Sequence, residues 1–335
     1  MRNHSMPIAQ SQTRCSMLNA QQMPGVNGQC PKAEADRPEP GQRSIELAFT
    51  GFEHRALCIV PFFRGGGPPR VFAHRGGCAL GPENTLAAFD LGLATGADGL
   101  ELDVRLSADG IVVVCHDETL DRTTDASGAV AARTAAELAR VDAGYWFTDG
   151  SGGYPFRGKG IGVPTLREVL ARYRDVPIIV EMKPNTEEMG RAVAAEVVAA
   201  GAVDRVCAAG YGWRSLGAAR RALPAMASSA HRREVRAALY RSWLGLPPRA
   251  HPPYGGFQVP EHAGNLRVVS PRFIRLAHRA GLEVQVWTVD EAADMQRLLE
   301  WGADALISNR PDLAVAVRDG FVTRARQSSL SQQGS

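Results

Sequence analysis

The chain has 335 residues, 44% of them hydrophobic, which is enough for a sizeable buried core, and 38 Lys+Arg nearly balance 35 Asp+Glu for a net charge of +3. That balance argues against a nucleic-acid protein, which needs a concentrated basic face, and no apolar run reaches the ~18 residues that span a bilayer. The six cysteines form no CxxC pair, which argues against a disulfide framework or structural zinc and fits a reducing compartment.

Residues 1–66 read as an N-terminal tail. Up to about residue 43 they hold Gln, Ser, Pro, Asn and Arg without hydrophobic periodicity, the composition of a disordered segment. No basic start followed by an apolar run marks a signal peptide; "ALCIVPFF" (56–63) lies too far in and is broken by Pro61, so a cytoplasmic location is expected. From residue 67 to 320 short Val/Ile-rich runs alternate with helical patterns, and 321–335 read as a C-terminal tail. Strands are expected at 71–75, 99–104, 178–183, 206–209, 225–229, 257–260, 283–288 and 305–308. Helices are expected at 83–95, 165–174, 187–200, 213–222, 232–243, 271–280, 290–301 and 311–318. Strands buried on both faces and alternating with helices make a parallel sheet, and this count predicts an α/β fold, a closed (β/α)8 TIM barrel of the usual ~250 residues. Between the second strand and the helix at 165 lie about sixty residues, far more than a βα loop of about 2–6, so a small subdomain is expected to be inserted over about 106–162.

Three clusters of chemical side chains fall at predicted strand ends. In "ELDV", Glu101 and Asp103 leave one face of a strand, with Leu102 and Val104 opposite. Adjacent carboxylates repel unless a cation sits between them, and hard cations such as Ca²⁺ or Mg²⁺ take oxygen ligands of this kind. "VEMKP" repeats the figure with Glu181 and Lys183. Asp109-Gly110 is a strong two-residue hairpin signal; with that loop, Asp103 pairs with His116, with Cβ atoms about 4.5–5.5 Å apart. Cys115, its neighbour, alternates to the other face and reads as core. "AHRGG" places His74 and Arg75 at the end of the first strand, ahead of a helix expected near Glu83 with Pro82 in its first turn. Arg75 can hold a phosphate bidentately and Lys183 acts as a point charge. Two histidines, three carboxylates and two cations at one barrel mouth form a phosphodiester-cleaving set.

These motifs, in this order, resemble the glycerophosphodiester phosphodiesterase family of the phospholipase-C-like phosphodiesterase superfamily: "HRGGCALGPENTLAAF", "ELDVRLSADGIVVVCHDETLDRTTDASG", "PTLREVL", "VEMKP" and "VQVWTVDEAADMQRLLEWGADALISNRPD". The likeness covers about residues 70–316. It implies a (β/α)8 barrel with an insertion after the second strand, His74 and His116 as the general acid/base pair, and Glu101, Asp103 and Glu181 as ligands of one divalent cation, Ca²⁺ or Mg²⁺. It further implies Arg75 and Lys183 on the phosphate, Trp287 as an apolar wall, and Glu83 and Asn84 as supports of the rim. The implied reaction splits small-molecule glycerophosphodiesters, such as glycerophosphocholine or glycerophosphoethanolamine, into glycerol 3-phosphate and an alcohol. Two positions depart from the pattern: Gly210-Tyr211 stands where many relatives carry Ser-Phe, and Asn309 where an Asp is common. Both are expected to affect substrate shape without touching the metal site or the histidines. A lysophospholipase-D-like activity would use the same site and need an apolar rim, for which 240–248 and 144–147 are candidates. A non-catalytic barrel binding a phosphorylated polyol would be expected to have lost a histidine or a carboxylate, and this chain keeps them all.

Overall fold

In the computed structural model, which describes residues 62–63 and 66–333, the apolar runs become eight parallel strands. They are β1 Arg70–His74, β2 Gly99–Leu106, β3 Ile178–Met182, β4 Val206–Ala209, β5 Ala227–Ser228, β6 Gly256–Pro260, β7 Glu283–Trp287 and β8 Ala305–Ser308. The helices beside them are α1 Leu86–Ala94, α2 Leu166–Arg172, α3 Glu187–Ala199, α4 Trp213–Ala222, α5 Arg232–Trp243, α6 Pro271–His278, α7 Ala292–Glu300 and α8 Pro311–Gln333. Neighbours run β5-β4-β3-β2-β1-β8-β7-β6, and the seam between β5 and β6 is held by a Ser229–Gly256 bridge with hydrogen bonds Ala230 N→Gly256 O and Gly255 N→Ser228 O. The expected (β/α)8 barrel is therefore present. The expected tail over 1–61 lies outside the described residues.

Strand burial on both faces follows from the layering. Gly99 to Val104 are buried without a break, with Leu100, Leu102 and Val104 under the helices and Glu101 and Asp103 turned inward. Fully buried Phe72, Phe89, Phe257 and Phe273 each contribute roughly 1.5–3 kcal/mol relative to exposure. The N-terminal end of the barrel interior is closed by Phe62, packed with Phe72, Ile179, Cys207 and Ile307. Phe62 and Phe63 belong to the segment assigned to the tail, yet they pack into the barrel, which thus begins before residue 67. At the other end, the segment assigned as C-terminal tail is helical: α8 continues well past 318, with Val315, Val317 and Phe321 packed on the core.

Three local expectations change. The first helix starts at Leu86, not near Glu83, because Thr85 is its N-cap, accepting from Ala88 N, while Asn84 sits at φ 59 and breaks any earlier turn. The fifth strand shrinks to two residues at the seam. The hairpin after β2 pairs Val104 with Val114 and Leu106 with Val112, one residue away from the expected register. Ser107 N bonds to Ile111 O and Gly110 takes φ 74, giving a three-residue loop over 108–110. Asp103 consequently lies across from Cys115, whose N–H donates to Asp103 O, and not across from His116. Beyond this ladder the insertion forms a small core of its own from Val113, Cys115, Leu120, Val130, Leu138 and Val163.

Candidate active site

Strand register builds the site. β1–β2 pairing sets His74 beside Glu101, and β2–β3 pairing sets Asp103 beside Glu181. Inward alternation then brings oxygens of Glu101, Asp103 and Glu181 within 4.8 Å of one another. Lys183, just past β3, places its ammonium 2.8 Å from Asp103 Oδ1 and 3.0 Å from Glu181 Oε1. Arg75 Nε lies 3.1 Å from Asp103 Oδ2, and its backbone N–H donates to Glu101 Oε2. The left-handed turn at Asn84 makes a two-point clamp on Asp103: Nδ2 donates to the carboxylate at 2.9 Å and Oδ1 accepts from Asp103 N.

The carboxylates are electrostatically divided. Burial, and then repulsion from Asp103 and Glu181, raises the Glu101 pKa well above the usual range. Burial also raises Glu181, against the pull of Lys183. For Asp103 burial acts upward too, but Lys183 and Arg75 outweigh it and hold the carboxyl low. Two of these buried oxygens, Asp103 Oδ1 and Glu181 Oε1, have no hydrogen-bond donor in good geometry, only the Lys183 charge. Hard oxygen donors, converging and undersaturated, suit a divalent cation such as Ca²⁺ or Mg²⁺.

Both histidines are oriented through Nδ1. His74 Nδ1 lies 2.6 Å from Asn309 Oδ1, and Asn309 Nδ2 donates to Asp290 Oδ2 at 2.7 Å. With the amide nitrogen donating to Asp290, the amide oxygen faces His74, whose Nδ1 carries the proton. His74 Nε2 is left as the lone-pair atom, 3.8 Å from Glu101 Oε2, and burial lowers the His74 pKa. Asn309 thus touches a histidine, contrary to the expectation that this departure stays clear of them. The Cys78 thiol also donates to Asn309, and burial pushes that thiol up to about 12. His116 reaches the mouth because the chain leaves the sheet after Val114. Its Nδ1 lies 2.6 Å from Asp117 Oδ1, and the Arg122 hydrogen bond helps hold Asp117 down at about 2. Arg122 also clamps Glu83, which in turn binds Arg75, so Glu83 ties the two histidine-bearing loops together.

Of the site residues expected from sequence, His74, Arg75, Glu101, His116, Glu181, Lys183 and Trp287 line one cavity of about 630 Å³, with Asp103, Glu83 and Asn84 behind its wall. Its wall also includes apolar Val235, Leu239, Val259 and Val268. Trp287 ends β7 there, edge-on to Tyr211 at 5.9 Å, so the Gly210-Tyr211 departure sits in the cavity wall. Every site residue expected from sequence therefore lies in the cavity or supports it. Asn309, Asp290, Asp117 and Arg122 were not expected; Asp117 and Arg122 stand within "CHDETLDR", but nothing in their spacing marks them as partners.

The sequence matches the glycerophosphoryl diester phosphodiesterase family over residues 74–313. A glycerophosphodiester phosphodiesterase from Caldanaerobacter subterraneus is 32% identical over 259 residues, covering 75% of this chain and 98% of that protein. The crystal structure of a glycerophosphodiester phosphodiesterase from Agrobacterium tumefaciens is similar with a TM-score of 0.61 at 30% identity, over 74% of this chain and 99% of that one. A phosphodiesterase from Oleispira antarctica, solved with the product sn-glycerol-3-phosphate, gives a TM-score of 0.60 at 27% identity, over 75% and 97% of the two chains.

Proposed function

Since the chain belongs to the glycerophosphoryl diester phosphodiesterase family and is a phosphodiesterase, we propose that it hydrolyses small glycerophosphodiesters to glycerol 3-phosphate and an alcohol by His74/His116 acid–base catalysis. The observation that carries this reading is the meeting of three converging carboxylates, two of them with an oxygen that lacks a well-oriented donor, with two oriented histidines in one cavity. The product bound to the Oleispira antarctica relative supports the same choice of substrate. Glu101, Asp103 and Glu181 would hold one divalent cation, Ca²⁺ or Mg²⁺, which when bound neutralises charge on the phosphoryl oxygens.

The chain's own residues divide the rest. Arg75 and Lys183 bring positive charge to the non-bridging oxygens, where charge builds in the transition state. His74, neutral with Nε2 free, suits the base that takes the proton from the attacking oxygen. His116, backed by ionised Asp117, suits the acid that protonates the departing alkoxide as its P–O bond breaks. Trp287 and Tyr211 wall the substrate on the apolar side.

The test is release of glycerol 3-phosphate from glycerophosphocholine by metal-stripped protein, then with Ca²⁺ or Mg²⁺ restored, for the native chain and each histidine variant. Restored release that disappears in His74→Ala and His116→Ala is expected; near-normal turnover in both variants would sink the assignment. A diester with a nitrophenolate leaving group separates the roles, because it leaves unprotonated: His116→Ala should regain most activity on it and His74→Ala should not. The apolar residues of the cavity wall favour a second reading, cleavage of lysolipids at the same site, and faster turnover of lysophosphatidylcholine than of glycerophosphocholine would select it.

A further inference from the structure

The near-neutral charge of the whole chain conceals a local excess. Between residues 205 and 260 stand nine arginines, no lysine and one acid, Glu234. Glu234 is already engaged by Arg220 at 2.9 Å and by the His231 N–H. Arg232, Arg233, Arg236 and Arg249 make no ion pair with a carboxylate among the described residues.

Helix α5, which carries Arg232, Arg233 and Arg236, ends in exposed apolar side chains. Trp243 (52% exposed), Leu244 (76%) and Leu246 (45%) follow one another at the end of α5. They are not held on a loose loop. Gly245, at φ 76, ends the helix in a paired cap: Leu246 N bonds to Arg241 O, Gly245 N to Ser242 O, and Arg241 Nε to Pro247 O. Rigid exposure of several large apolar groups marks an interaction surface rather than incidental scatter. Trp243 packs on Tyr240 at 5.3 Å, and Tyr240, Arg232 and Arg236 also line the catalytic cavity, so the face runs into it.

We infer that this face docks the protein on an anionic lipid surface, with the cavity mouth turned toward it, whichever diester the site cleaves. Unpaired guanidiniums match anionic head groups, aromatic rings suit the interface, and projecting leucines suit the acyl boundary beneath it. A second copy of the chain fits poorly, because two-fold pairing would oppose two basic faces whose one acid is already used.

The experiment is co-sedimentation of the full chain with vesicles of phosphatidylcholine alone and of equal parts phosphatidylcholine and phosphatidylglycerol. Expected are binding to the anionic vesicles only, weakening with added salt, and about tenfold weaker binding for Trp243→Ser/Leu244→Ser/Leu246→Ser. Arg233→Gln/Arg249→Gln should lose most of the salt-sensitive part. Turnover of a water-soluble diester should stay unchanged in both variants, which controls for folding. Absence of binding to the anionic vesicles, native-like binding by the serine variant, or retention on single-stranded RNA without vesicle binding would overturn the inference.

Discussion

The two ends of the barrel interior handle buried charge in opposite ways. At the N-terminal end Arg70 meets Glu283 at 2.8 Å, Gln285 donates to the same carboxylate, and the Arg70 guanidinium lies over the Phe62 and Phe72 rings. One acid faces one base, and the neighbouring amides and rings complete the shell. At the C-terminal end three acids crowd together, and two of their oxygens lack a well-oriented donor. The first arrangement serves the fold. The second opposes it, and a barrel retains such a site for chemistry.

The largest effect that sharpens this contrast is loss of a histidine: His74→Ala or His116→Ala should lower turnover by about 10²–10⁴-fold with little change in Tm. At the opposite end Glu283→Leu should destabilise by about 3–5 kcal/mol, by leaving Arg70 buried without its partner, while kcat is kept. Arg70→Met/Glu283→Leu should recover most of that loss in urea denaturation. If Glu283→Leu instead abolished turnover in protein that is still folded, the division between the ends would fail. Glu101→Gln should weaken metal-dependent turnover yet raise Tm of the metal-free protein by roughly 2–4 °C, because it removes a like charge. The pH dependence has a defined sign. Glu101 and Glu181 titrate above the ordinary 4.5 when folded, so between 4.5 and those raised values the native state holds more protons than the unfolded chain. Their contribution therefore makes metal-free stability fall as pH rises through that window, and Ca²⁺ or Mg²⁺ should flatten the slope of Tm against pH. Smallest is Asn309→Leu, about tenfold in kcat/KM, through loss of the Nδ1 partner that sets the His74 tautomer.

What could be read from the sequence was what local pattern carries. Strands buried on both faces announce themselves as apolar runs, and the period of two placed Glu101 with Asp103 and Glu181 with Lys183 on shared faces. Turn geometry was less legible: Asp109-Gly110 marks a turn without setting whether two or three residues form it, and one residue decides what lies opposite Asp103. Pro82 suggested a helix start that Thr85 and the left-handed Asn84 moved to Leu86. Pairings across the barrel had no local signal. Asn309 and Asp290 meet His74 only because β8 returns beside β1, which no spacing in the sequence states.

The glycines at the seam carry a consequence for anyone handling this protein. A methyl group added at Gly255 or Gly256 would fall 2.1 Å and 2.7 Å from the Phe63 ring, so these residues form a notch that the ring occupies beside the shortest strand. The aromatic pair at 62–63 is thus a clasp across the barrel's weakest joint. An expression clone trimmed to the first obvious strand would discard it, and its product should breathe at that joint, exchanging the amides of Ala230 and Gly255 faster than the intact chain does.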